Sequence, residues 1–162
     1  MMQFKVGDKA VHPAHGVGEV TSIEKKTIGG SDKRFYILKI VDTGMTVMVP
    51  TDGVERLGLR DVISKKEAKK VMDELKKDEV AVTSQPWNRR YREYTEMLKS
   101  GSPIEVAKVL RDLSRLRGDK DLSFGERRLL EQARNLLVAE LALAKGATEE
   151  KIRKDMDKIL GT

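Results

Sequence analysis

The chain has 162 residues, 32 Lys+Arg against 26 Asp+Glu for a formal charge of +6, 39% hydrophobic residues and only 4% aromatics. Those totals bound it to one ordinary domain or two small ones with aliphatic cores, and the positive balance points to an anionic partner. The absence of cysteine excludes disulfides, thiol catalysis and thiolate zinc sites. The start, MMQFKVGDKAV, lacks the apolar run of a signal peptide, and no stretch approaches the roughly 20 apolar residues that a membrane span needs, so a soluble cytoplasmic protein is expected.

Residues 1–62 are rich in Val, Ile, Thr and Gly. The segments FKVGDKAVHP, GVGEVTSIEKKTI, RFYILKIV, MTVMVP and VERLGL read as five short strands, separated by turn signals such as IGGSD and DTG. The DTG between KIV and MTV marks a tight hairpin. Five short strands in so little chain predict a strongly bent β-barrel of the Tudor or SH3 type. Its core is marginal at that size, so it is expected to lean on the second half or on a partner.

Residues 63–162 change period. Ser64, Ser102 and Ser123 each stand three residues before a glutamate, Glu67, Glu105 and Glu126, the spacing of a capping box. Thr148 is a plain N-cap followed by acids. Gly101, Gly118 and Gly146 fall where C-terminal glycines would. The predicted helices span 65–77, 86–100, 103–117, 124–145 and 149–160. Val106, Val109, Leu110, Leu113 and Leu116 form one apolar stripe, and Leu129, Leu130, Ala133, Leu136, Leu137 and Leu141 form another. The fold class is therefore α+β: a small five-stranded barrel over 1–62, then a compact all-α domain of about five helices over 63–162. Residues 1–64 hold 9 Lys+Arg and 8 Asp+Glu, whereas 65–162 hold 23 and 18. The basic excess thus belongs to the helices, and it is densest in KKEAKK at 65–70 and WNRRYR at 87–92.

The stretch SQPWNRRYR at 84–92 carries the only tryptophan of the chain. Pro86 suits the first turn of a helix, where its missing N–H has no partner to lose. Trp87 then sits in that turn, with Arg89, Arg90 and Arg92 after it. A helix start attracts phosphate, and an indole beside it can wedge against a base step or stack on an unpaired base. The competing reading has Trp87 packing between domains beside Tyr91 and Tyr94, with the arginines paired to Glu93 and Glu96 on a solvated face. Three arginines with no acid before Glu93 favour nucleic acid.

Other chemistry finds little support. His12 and His15 in HPAHG have no third ligand cluster and read as a turn between strands. Asp119, Asp121 and Glu126 in GDKDLSFGE suit a loop and a cap. The phosphate-loop pattern is absent. The residues predict no enzyme, cofactor or metal.

FKVGDKAVHPAHGVGEV, MVPTDGVERLGLRDV, WNRRYREY, VLRDL and LSFGER together, in order over nearly the whole chain, resemble the CarD/CdnL family of bacterial transcription regulators. The resemblance implies a barrel similar to the polymerase-interacting module of the transcription-repair coupling factor, docking on the β subunit of RNA polymerase. It implies a helical domain at promoter DNA, with Trp87 wedged in the minor groove at the upstream edge of the melted region, and Arg89, Arg90 and Arg92 on the backbone. On the polymerase side it points to Lys26 and Ile28 in one strand and to Met48 in another, with Phe35 and Pro50 bordering the contact. Met48 stands where some members carry an arginine, so an apolar contact is expected there, with edge-strand pairing supplying affinity. The expected form is a monomer. Two rivals remain open: an interaction module that never touches DNA, and a sequence-specific repressor, for which no helix pair of the usual kind is legible.

Overall fold

The computed structural model describes residues 4–77, 87–119 and 123–161, and the chain divides into two compact units, Met1–Val62 and Ile63–Thr162.

In the first unit, β1 (Lys9–His12), β2 (Gly16–Ile28), β3 (Ser31–Ile40) and β4 (Thr46–Pro50) form an antiparallel meander in the order β1-β2-β3-β4. The sheet curls into a half-barrel. Its bend lies in β2, where the register with β3 slips between Val20 and Ser22, since an extra residue in one strand sharpens the twist. Beside it, β2 crosses β3 closely at Gly18, where a Cβ would lie 2.6 Å from Leu38 Cγ. Phe4, Ala10, Val20, Tyr36, Leu38, Ile40, Val49, Val54 and Leu59 make the core. Phe4 meets Tyr36 edge-on at 5.6 Å and donates its N–H to the Tyr36 hydroxyl at 3.1 Å.

Four strands are seen among the described residues, not five. The predicted fifth, VERLGL, is a short helix, α1 (Val54–Leu57), closed by Gly58 at φ 88°. Only Arg60 then joins the sheet, through a two-bond bridge with Val11 (2.7 and 3.1 Å). The reason is parity. Val54 and Leu59 both enter the core, yet residues five apart on a strand face opposite ways. A helical turn brings both inward.

The second unit contains α2 (Lys65–Lys76), α3 (Trp87–Lys99), α4 (Pro103–Asp119), α5 (Phe124–Lys145) and α6 (Glu149–Leu160). Reciprocal capping boxes form at Ser64/Glu67 and Ser123/Glu126. Ser102 accepts from the Glu105 N–H at 3.3 Å, and Thr148 caps through the Lys151 N–H. Gly101 and Gly146 adopt the left-handed conformation after α3 and α5. Gly118 does not end α4, which runs through it to Asp119, because glycine permits a helix stop without imposing one. Pro86 lies outside the described residues. The core joins Ala68, Val71 and Leu75 of α2 to Tyr94 and Leu98 of α3, the stripes of α4 and α5, and Ile152 and Met156 of α6. Leu116 and Leu136 of those stripes are only partly buried. Residues 106, 107 and 109–114 of α4 are all buried, so that helix runs through the middle of the bundle.

Candidate functional site

In the first unit the register places every polymerase-side candidate on one face of the sheet. Phe35 lies opposite Glu24 on β2 and Pro50 on β4, Ile37 opposite Met48, Lys26 opposite Lys33, and Ile28 opposite Ser31. Side chains alternate along a strand, so positions 24, 26 and 28, 33, 35 and 37, and 48 and 50 share the face turned away from Tyr36, Leu38 and Val49. It is an apolar strip with a basic end. Met48 is 42% exposed and Ile28 53% exposed, while Phe35 is buried and Pro50 half-buried. Phe35 therefore acts as the floor of the strip, and Ile28 and Met48 as its accessible parts. Strand β4 stands at the end of the sheet, and the distal half of β2 runs beyond its pairing with β1, which covers only Gly16–Glu19.

In the second unit α3 opens on Trp87 with no acid in its own first turn, at the helix end that favours anions. The side chain of Trp87 lies outside the described residues. The three arginines behind it part ways. Arg89 and Arg92, three apart, are exposed and share a face. Arg90 turns inward and meets Glu126 at 3.3 Å, with exposures of 16% and 5%. That pair joins the start of α3 to the first turn of α5. There Phe124 is 77% exposed, with the Arg128 guanidinium 5.9 Å above its ring and exposed Arg127 beside it.

A buried polar network holds this corner. Arg111 on α4 donates to the Glu74 carboxylate at 2.6 Å and to the Glu74 carbonyl at 3.3 Å, and reaches Asp112 at 3.5 Å. The other Asp112 oxygen accepts from the Tyr94 hydroxyl at 3.3 Å, four residues along α3 from Arg90. Lys77 also meets Glu74, at 3.4 Å. Arg111 and Asp112 are 1% and 0% exposed. Burial, then the Asp112 charge, pushes the Tyr94 hydroxyl well above its ordinary range, so it stays a neutral donor. The segments VLRDL and LSFGER thus supply the two anchors of the α3 start, Asp112 through Tyr94 and Glu126 through Arg90.

Family comparisons match these two units separately. Residues 4–63 match the CarD-like/TRCF RID domain and residues 70–157 match the CarD C-terminal domain. The chain belongs to the CarD/CdnL family. YdeB of Bacillus subtilis (strain 168), described as a candidate transcription factor, is 32% identical over 153 residues, covering 93% of this chain and 97% of that protein. A solved structure, CdnLNt from Myxococcus xanthus, is 47% identical over 40% of this chain and 90% of its own, with a TM-score of 0.33. The chain is thus a CarD-like transcription factor, of a family that interacts with RNA polymerase.

For a CarD-like protein, the histidine candidate has a structural use, and Asp121 of the acidic candidates lies outside the described residues. His12 is 8% exposed, and its Nδ1 accepts the N–H groups of Ala14 and His15 at 3.1 and 3.3 Å, closing the turn between β1 and β2. Among the described residues no group of three or more His, Cys, Asp or Glu could hold a metal, and no helix is long and apolar enough to cross a membrane. Sequence reasoning missed Phe124. Its signal was position: an aromatic directly after the capping Ser123, out of step with the stripe that begins at Leu129.

Proposed function

We propose that this CarD-like factor grips the β subunit of RNA polymerase through the strip of Lys26, Ile28, Phe35, Met48 and Pro50, while α3 holds promoter DNA at the upstream edge of the melted region. The observation that carries the reading is the division of labour in WNRRYR. Arg90 is committed to Glu126 as a positioning residue, and Arg89 and Arg92 are left at the surface beside Trp87. Phe124, Arg127 and Arg128 extend that surface.

Two backbone arginines give a salt slope of only about −1.8, at roughly −0.9 per phosphate contact. Free DNA is then bound only at the ~10⁻⁴–10⁻⁶ M typical of non-specific contacts. Tethering on polymerase raises the effective DNA concentration towards ~mM, which makes the weak contact useful. Wedging Trp87 costs a few kcal/mol of unstacking in intact duplex, a cost already met at the edge of a bubble. The wedge therefore binds open promoter better than closed, and such a differential shifts the population. A difference of ~1.4 kcal/mol changes the open-to-closed ratio about tenfold. Minor-groove insertion reads shape and A·T content more than sequence, so action at many promoters follows.

The test uses the full chain with polymerase and a promoter fragment. Trp87→Ala should leave retention by polymerase unchanged while open complexes decay faster after a competitor challenge. Equal lifetimes for mutant and wild type would refute the wedge.

A further inference from the structure

The KKEAKK run at 65–70 has no part in the reading above, and its charge is costly where it stands. Lys65 and Lys66 occupy the first turn of α2, the end of a helix at which the backbone dipole disfavours cations. The only acid of the run, Glu67, is turned back onto the Ser64 N–H and hydroxyl at 3.3 and 3.2 Å, so it offsets nothing outward. The dipole gives Lys65 and Lys66 no stabilising reason to stand there.

The fold gathers them into a groove. Lys65, Lys69 and Lys76 of α2, Lys145 at the end of α5 and Lys158 of α6 line a cavity of ≈ 610 Å³, floored by Met72 and Ile159. Of the two acids of the lining, Asp73 meets Lys76 of the groove itself at 3.8 Å and Asp155 meets Lys151, outside it, at 2.9 Å, which leaves Lys65, Lys69, Lys145 and Lys158 as the excess charge. The hydrogen bond from Lys151, with the charges of Lys145 and Lys158 behind it, holds the Asp155 carboxyl below the usual carboxylate range. The groove is thus a site of net positive potential whose carboxylates are spoken for. Lys65 and Lys76 are eleven residues apart, about 16 Å along α2 at 1.5 Å per residue. That is a track of charge longer than a single nucleotide presents, and it suits successive phosphates of a strand.

We propose that the α2–α6 lysine groove is a second DNA-backbone contact, separate from the start of α3. It extends the reading that this unit meets promoter DNA. Arg90 joins α3 to the first turn of α5 and Lys145 ends that helix. The two contacts are therefore about 28 Å apart along α5 at 1.5 Å per residue, or about eight base pairs at 3.4 Å per step. The groove adds affinity without sequence readout, because lysines on phosphate position a duplex and specify nothing.

The experiment is a salt titration of full-length protein with an end-labelled 30-base-pair duplex, followed by fluorescence anisotropy. The variants are Lys65→Gln/Lys69→Gln/Lys158→Gln and, separately, Arg89→Gln/Arg92→Gln. Removing three phosphate contacts should flatten the slope of log K against log salt by about 2.7. Between 50 and 200 mM salt the wild type should then lose about 40-fold more affinity than the lysine variant. An unchanged slope in the lysine variant overturns the groove, and so does an unchanged slope with lost retention by polymerase, which would mean an acidic protein segment lies there. A flattened slope in the lysine variant alone, with none in the arginine variant, supports the groove and refutes the α3 contact. The melting temperature should hold or rise in the lysine variant. Should the triple variant fold poorly, Lys69→Glu alone must flatten the slope, and failure to do so counts equally against the groove.

Discussion

Arg111→Met is the most searching perturbation of the helical unit. The guanidinium is 1% exposed and meets Glu74 at 2.6 Å and Asp112 at 3.5 Å. Methionine approximates its stem and removes the guanidinium with its charge and hydrogen-bond donors. Breaking a buried ion pair from one side typically costs about 3–5 kcal/mol, because a charge is left in low dielectric with no partner. Glu74 keeps a second cation, Lys77 at 3.4 Å, and Asp112 keeps the Tyr94 hydroxyl at 3.3 Å, so the lower part of that range is expected. In a unit of roughly 100 residues, each kcal/mol moves the melting temperature by about 4–8 °C, so the loss should be at least about 12 °C by helical circular dichroism. The exposed pair Lys154–Glu150, at 73% and 80% exposure, is the internal contrast, and Glu150→Ala should cost under about 0.5 kcal/mol. A deficit no larger than that of Glu150→Ala would mean that the Arg111 guanidinium does not hold the helices together. The reasoning about the network would then be wrong. Under the proposed function, the corollary is a loss of open-complex stabilisation with polymerase retention intact, since Asp112 also anchors Tyr94 on α3.

Three further outcomes follow from single residues. Met48→Asp should weaken retention by polymerase by at least about fivefold, the ~1 kcal/mol of a contributing interface residue, while urea unfolding shifts by no more than about 0.5 kcal/mol; undiminished retention would remove Met48 from the interface. Burial, then the nearby His15, lowers the affinity of folded His12 for its proton below the ordinary 6.5. The unfolded chain therefore binds more protons as pH falls below that value, and stability of the first unit should rise with pH through this range and level off above it. His12→Asn keeps an acceptor for the turn and should flatten the profile in urea titrations at pH 5.5 and 7.5. Gly18→Ala would set its Cβ 2.6 Å from Leu38 Cγ and should cost about 1–3 kcal/mol by overpacking; a neutral urea midpoint would show that Leu38 yields freely.

The helices were legible because their signals are local. A serine three residues before a glutamate starts a helix at Ser64, Ser102 and Ser123 alike, although at Ser102 the reciprocal bond is replaced by one from its N–H to the Ser100 hydroxyl, and the stripes of α4 and α5 follow from 3.6 residues per turn. The hairpin strands were legible for the same reason, through alternation and turn chemistry. The fifth strand failed because VERLGL alternates well enough to pass for one, and only the core, which takes both Val54 and Leu59, forces the turn. Arg90 could not be told from Arg89 and Arg92 within WNRRYR, since the carboxylate that claims it lies 36 residues away on another helix. Nor could KKEAKK be seen to share a groove with Lys145 and Lys158. Composition and spacing alone determined where the chain turns helical and where its charge is concentrated. Which charges are buried, paired or left facing solvent was decided by tertiary structure, because electrostatic partners are set by distance in space and not by separation along the chain.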